Sequence, residues 1–210
     1  MVISLLIKAI LDPKGRMLET RASRNGQKLL FVKNFLQHPN MLGSVIPSSR
    51  FLINRLLGQV DWDRARTIVE YGPGVGTFTS HILDRMPPDA RLVVVEKNED
   101  FVRYLKSAFV DSRLYVVHGS AEDVQEELSK LKMDGADYII SGVPYTPMSK
   151  SLRARITQEA CAALNPGGTV LFYQFTRTAL PYLRSCFTQV NRGFEPRNIP
   201  PAYLFYCSQT

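Results

Sequence analysis

The segment that most constrains this chain is Thr67-Ile-Val-Glu-Tyr-Gly-Pro-Gly-Val-Gly-Thr-Phe-Thr79, an apolar strand running into three alternating glycines. Twenty-four residues after Gly72, a second apolar strand, Leu92-Val-Val-Val95, ends in Glu96. Strand, glycine loop, helix, strand and acid form the layout of a nucleotide-type cofactor site. The glycines let the backbone turn sharply and come close to a ligand, and an acid at the tip of the next strand binds ribose hydroxyls.

The glycine spacing narrows the cofactor. A dinucleotide fingerprint reads G-x-G-x-x-G and sets a helix N-terminus against a pyrophosphate. Here the loop reads Glu70-Tyr-Gly72-Pro-Gly74-Val-Gly76, and its leading carboxylate opposes a pyrophosphate but suits an ammonium. This resembles the first motif of class I S-adenosylmethionine-dependent methyltransferases, whose cofactor carries an amino acid and a sulfonium instead of phosphates. The resemblance implies S-adenosylmethionine as cofactor. Its contacts would be Glu70, Tyr71, Gly72, Gly74 and Gly76, then Glu96 and Lys97, then Ser120 and Ala121, and Ser141.

Along the chain, apolar strands at 67–71, 91–96, 113–117, 136–141, 168–176 and 202–208 alternate with helices at 76–86, 98–109, 122–131, 149–164 and 179–187. Such alternation predicts an α/β fold with a mostly parallel sheet and helices on both faces. The class I resemblance implies a Rossmann-like sheet of seven strands with a C-terminal antiparallel strand. Ligands then sit over the carboxyl ends of the strands, so the residues just after each strand matter most.

With 210 residues, 45% of them hydrophobic, the chain can bury a substantial core. Cys161, Cys186 and Cys207 lack metal-ligand spacing and read as reduced thiols of a cytosolic protein. No Ser/His/Asp or metal pattern emerges from His38, His81 and His118, and neither a secretory leader nor a spanning helix is expected. Residues 1–60 hold nine Lys or Arg against Asp12 and Glu19, which accounts for the whole net charge of +7. That suggests a basic N-terminal segment, 1–60, and an electrically neutral catalytic body, 61–210. Val2–Leu11 and Leu29–Leu36 are apolar stretches set among these bases. Basic helices with Leu and Phe faces lie in membrane interfaces, and each base near an anionic leaflet contributes about 1 kcal/mol. The same helices would also suit packing on the sheet. Ser48 or Ser49 is placed to cap a helix from Arg50 to Leu57, and the polar loop before it to wall the cleft.

Three strand ends carry the chemistry. After the third strand, Ser120 stands where methyltransferases often carry an Asp for the adenine amino group, with Glu122 and Asp123 just beyond. After the fourth comes Ser141-Gly-Val-Pro-Tyr145. Adenine-N6 methyltransferases have N-[LP]-P-Y here, whose Asn oxygen holds the target amino group; in this chain the Asn position is Gly142. Tyr145 is expected to be the catalytic-site residue, its ring packing against a methylammonium by cation–π attraction, about 0.5–2 kcal/mol. In the fifth strand, Tyr173 or Phe175 would line the acceptor pocket, according to register, and both would equally suit the core.

Taken together, these residues resemble the soluble, class I bacterial phospholipid N-methyltransferases over nearly the whole chain. The shared segments are the basic stretch from Phe31 through Ile46-Pro-Ser-Ser-Arg-Phe51, the glycine loop, Ser141-Gly-Val-Pro144, Pro166-Gly-Gly168, Gln174-Phe-Thr176 and Asn198-Ile-Pro-Pro-Ala202. The resemblance implies stepwise methylation of phosphatidylethanolamine toward phosphatidylcholine, a cytoplasmic enzyme peripheral on the inner membrane face, a phospholipid substrate, an anionic membrane surface as partner and no nucleic acid. The competing reading is RNA adenine-N6 dimethylation, opposed by Gly142 and by a chain that stops before the extra helical domain of such enzymes. A non-catalytic scaffold would not need Glu70, the glycines and Glu96 together.

Overall fold

The computed structural model describes residues 48–209. The apolar stretches Val2–Leu11 and Leu29–Leu36, and most of the basic segment with them, lie outside the described residues.

Continuous apolar runs make the central strands, because a strand covered on both faces has no polar side. β1 (Thr67–Tyr71) is buried from Ile68 onward, and β2 (Arg91–Glu96) from Leu92 onward. With β3 (Leu114–His118), β4 (Ala136–Ser141), β5 (Leu164–Gln174), β6 (Gln189–Glu195) and β7 (Ala202–Ser208) they form one sheet in the order β3-β2-β1-β4-β5-β7-β6. β1 pairs parallel with both β2 and β4, whereas β7 runs antiparallel between β5 and β6. The order reverses between β1 and β4, which opens a crevice over the ends of those two strands.

Helices cover both faces. On one lie α1 (Arg50–Leu57), α2 (Thr77–Leu83) and α3 (Glu99–Ala108), whose Leu52, Ile53, Leu56, Leu57, Phe78, Ile82 and Leu105 meet Ile68, Leu92, Val94, Ile140, Leu171 and Leu204. On the other lie α4 (Val124–Lys130), α5 (Lys150–Ala162) and α6 (Leu180–Cys186), packed on Val69, Val93, Val95, Ile139, Val170, Phe172 and Phe205. Each fully buried Leu, Ile or Phe contributes about 1.5–3 kcal/mol relative to exposure. Four such residues on α1 therefore bind the described part of the basic segment firmly to the sheet.

Caps define where helices begin. Ser49 caps α1, its Oγ accepting from the Leu52 amide at 3.3 Å, and Asn98 caps α3, with Glu99 and Asp100 in the first turn favouring its positive end. The expected fold class is the one observed, with local differences. The helix expected at 122–131 starts as a 3-10 turn at Ala121–Asp123, because Ser120 accepts from the Glu122 amide. The strand expected at 168–176 runs from Leu164 to Gln174, through a register shift opposite Ala136 and Tyr138. β6 is absent from the expected strands: among the described residues its only partner is β7, so Gln189-Val-Asn-Arg-Gly-Phe-Glu195 keeps polar residues and a glycine that a central strand would not tolerate.

Candidate active site

The glycine loop leaves β1 through three left-handed residues, Gly72, Gly74 and Gly76, at φ of 65°, 56° and 75°. The Gly72 amide donates to the Val95 carbonyl at 2.9 Å, which ties the loop to the end of β2. Glu96 stands at that end, buried, with one carboxylate oxygen accepting from the Gly74 amide at 3.2 Å and the other from the Asn98 amide at 2.8 Å. Burial raises its pKa, and these amide bonds oppose the rise. The carboxylate is thereby held rigidly at the strand tip with acceptor capacity to spare.

Beside it opens a cavity of about 320 Å³. Gly72, Glu96, Lys97, Ser120 and Ala121 line one side, and Val143, Pro144, Leu152 and Ile156 the other. Ser120 Oγ donates to Glu122 Oε1 at 3.1 Å. A slot lined by a carboxylate at a strand tip, a serine and apolar walls has the chemistry of an adenosine site.

Glu70 closes the other end of the loop. It is 3% exposed and accepts from Thr79 Oγ1 at 2.7 Å. Burial pushes its pKa up to about 8, the Thr79 hydrogen bond opposes that, and the nearby Glu96 charge adds to it. A buried acid of this kind is poised to ionise when a cation arrives beside it.

The structure brings Glu96, Lys97, Gly72, Ser120 and Ala121 together around one cavity, leaves Glu70 and Gly74 in the adjoining loop outside its lining, and sends four expected site residues elsewhere. Gly76 faces α3: a Cβ there would meet the Phe109 ring at 2.5 Å, so packing alone requires a glycine here. Tyr71 and Ser141 pair across β1 and β4 and point into the core, and their side-chain oxygens find no hydrogen-bond partner among the described residues. Tyr145 is the main correction. Its ring is fully buried edge-on to Phe172, centroids 4.9 Å apart, and its hydroxyl shares a 2.8 Å hydrogen bond with Thr157 Oγ1. A ring so placed is not presented to an ammonium in the cleft; it anchors the turn that forms the wall.

Other residues complete that wall. Gln174 accepts from the Tyr145 amide at 3.0 Å and donates to the Val143 carbonyl at 2.7 Å, while Arg153 donates to the Tyr145 and Thr146 carbonyls at 2.8 and 2.9 Å. Gln174 lay in a segment shared with the phospholipid enzymes, although only the register shows its amide facing the turn; no sequence signal marked Arg153. Tyr173, one of the two residues left open for the pocket, stacks on Phe78 with centroids 5.2 Å apart and accepts from Ser48 Oγ at 3.3 Å. Asn198 Oδ1 accepts from the Ser49 amide at 2.9 Å, fixing the entry to α1 beside Tyr173.

The family model of ribosomal RNA adenine dimethylases matches residues 34–180. The chain belongs to the ribosomal RNA adenine dimethylase family. Relatives of the chain differ in the acceptor that their names give. An ornithine lipid N-methyltransferase of Singulisphaera acidiphila is 35% identical over 182 residues, covering 85% of this chain and 94% of that protein. A ribosomal RNA small subunit methyltransferase A of Mycoplasma mycoides is 32% identical over 103 residues, 48% of this chain and 37% of that one. Among solved structures, a TehB-like SAM-dependent methyltransferase of Corynebacterium glutamicum shares the fold with a TM-score of 0.60 at 12% identity, over 87% of this chain and all of that chain. This member of the family is thus a class I S-adenosylmethionine-dependent methyltransferase, and its fold is the Rossmann-like sheet expected.

Proposed function

We propose that this methyltransferase N-methylates the amine of a membrane aminolipid, either phosphatidylethanolamine or ornithine lipid. The observation that carries the reading is the packing around Gly142. A Cβ at this position would fall on the hydroxyl and ring edge of Tyr173, so the volume an adenine-recognising Asn would fill is already occupied. An alkyl amine needs no such side chain and no slot for a planar base. The lipid-methylating relative supports the reading because the similarity extends over 94% of its length.

In this reading Glu96 accepts from the ribose hydroxyls of S-adenosylmethionine, Ser120 and Ala121 border its adenine, and Glu70 with Gly72 and Gly74 receives the amino-acid end. The cofactor supplies an electrophilic methyl group; the chain's own residues orient it and exclude water around the acceptor. Glu96→Gln keeps the shape but weakens the acceptor toward the diol, and a loss of about 10- to 100-fold in cofactor affinity is expected by calorimetry. The basic segment 1–60 would hold the protein to an anionic cytoplasmic membrane face while its last helix, α1, stays packed on the catalytic body 61–210. No helix among the described residues is long and apolar enough to cross a membrane.

The decisive assay supplies methyl-labelled S-adenosylmethionine with anionic vesicles containing phosphatidylethanolamine, with vesicles containing ornithine lipid, and with ribosomal RNA. Label is expected in a lipid extract, and its mobility identifies which headgroup and counts the methyl groups. A second reading, adenine dimethylation of RNA, is favoured by the family model. Label confined to RNA would replace the first reading with it.

A further inference from the structure

We propose that the Tyr173 hydroxyl is the oxygen that receives the substrate amine, standing in for the side chain that Gly142 lacks. The inference deepens the aminolipid reading and rests on it. The crevice at the order reversal has two halves. The cavity with Gly72, Glu96 and Ser120 lies over the ends of β1, β2 and β3 and is walled by Val143 and Pro144 just past β4. Over the half belonging to β4 and β5, the Tyr173 hydroxyl covers the Gly142 backbone at the end of β4.

The hydroxyl is held in place from two directions. Its ring lies on Phe78, 5.2 Å between centroids and 23° from parallel. Ser48 Oγ donates to Oη at 3.3 Å, leaving further acceptor capacity on the phenol oxygen. Burial pushes its pKa up to about 12, so the group stays a neutral phenol through the working pH range.

The chemistry gives such an oxygen a defined use. The amine lone pair forms the new N–C bond, the C–S bond breaks with its electron pair to sulfur, and positive charge moves from sulfur to nitrogen. An N–H hydrogen-bonded to Oη becomes a stronger donor as that charge arrives, so the bond tightens in the transition state. The surplus proton then leaves nitrogen for water. A primary amine and its monomethyl product both carry an N–H in the reacting neutral form. The dimethylamine carries none. Tyr173 therefore assists the first and second transfers and not the third, a pattern that mere support of the fold would not produce.

The test is Tyr173→Phe in the full chain, assayed on vesicles of phosphatidylethanolamine and its monomethyl and dimethyl derivatives, with the ornithine lipid series in parallel. The first two transfers are expected to fall about 10- to 100-fold, the third to stay within about threefold, and cofactor affinity to be unchanged. Ser48→Ala should slow the first transfer severalfold and add nothing in the Tyr173→Phe background. Equal losses in all three transfers, or independent losses from the two substitutions, would overturn the inference while leaving the aminolipid reading standing. So would unchanged turnover. If the wild-type protein leaves the dimethyl lipid unmethylated, the Ser48 coupling decides. Wild-type label in RNA and none in lipid would overturn the reading itself, and the inference with it.

Discussion

Glu70→Gln is expected to lower S-adenosylmethionine affinity about 100-fold at pH 8.5, while making the cofactor-free protein more stable. Both effects follow from one buried carboxyl group. Glu70 is 3% exposed, with a pKa near 8 against an ordinary value of 4.5. The folded state therefore keeps this proton to a higher pH than the unfolded chain does. Its contribution to stability is full below about pH 4.5, declines as pH rises from there, and is lost by about pH 8, at ~1.4 kcal/mol per pH unit. A neutral amide removes that decline, so the melting temperature of the variant should exceed that of the wild type at pH 8.5 and converge on it near pH 4.5. The cofactor's ammonium reverses the preference, because it favours the ionised form. Wild-type affinity should accordingly rise by up to about tenfold per pH unit toward pH 8 and then level off. Calorimetry in buffers of different ionisation enthalpy should find close to one proton released per cofactor near pH 7. PH-independent binding in both proteins would remove Glu70 from the cofactor site.

Gly76→Ala should cost about 3 kcal/mol, or ~6–12 °C in melting temperature for a chain of this size, with cofactor affinity little changed at temperatures where the fold persists. Two strains add. The residue sits at φ 75°, where a Cβ is disfavoured, and that Cβ would stand 2.5 Å from the Phe109 ring and 3.0 Å from Leu105. Gly72 has the same backbone hand, but it lines the cavity and its Cβ would meet only Val143 Cγ1, at 3.0 Å. Urea titration and cofactor titration of the two alanine variants should therefore separate them, Gly76 losing stability and Gly72 losing affinity. Equal behaviour would mean that the three glycines share one role.

The contrast between those glycines also shows how far the sequence could be read. The spans of β1, β2, β4 and β7 agree with the apolar runs that marked them, because strands inside a sheet need continuous hydrophobic residues whatever surrounds them. β6 was missed for the complementary reason: an edge strand with a single partner can be polar. At the candidate site, chain position was legible: Glu70 lies in β1, Gly72 just beyond it and Glu96 at the end of β2, where the spacing puts them. Residues whose value depends on where a side chain turns were not. Tyr145 stood in a recognisable motif, yet its ring folds back onto Phe172 and Thr157. Tyr173 had no motif of its own, and only the absent side chain at Gly142 leaves it room. A missing group, unlike a present one, has no pattern to search for.

The two serines ahead of α1 have a mechanical consequence. Ser48 bonds to Tyr173 and Ser49 to Asn198, so the first described residues are tied to β5 and to the turn before β7. Tension at Ser48 would load those two bonds, and β5 through Tyr173, before it reached α1. If the basic segment is held at a membrane as proposed, a pull there would act on the Tyr173 hydroxyl as a lever, with its fulcrum at Ser49.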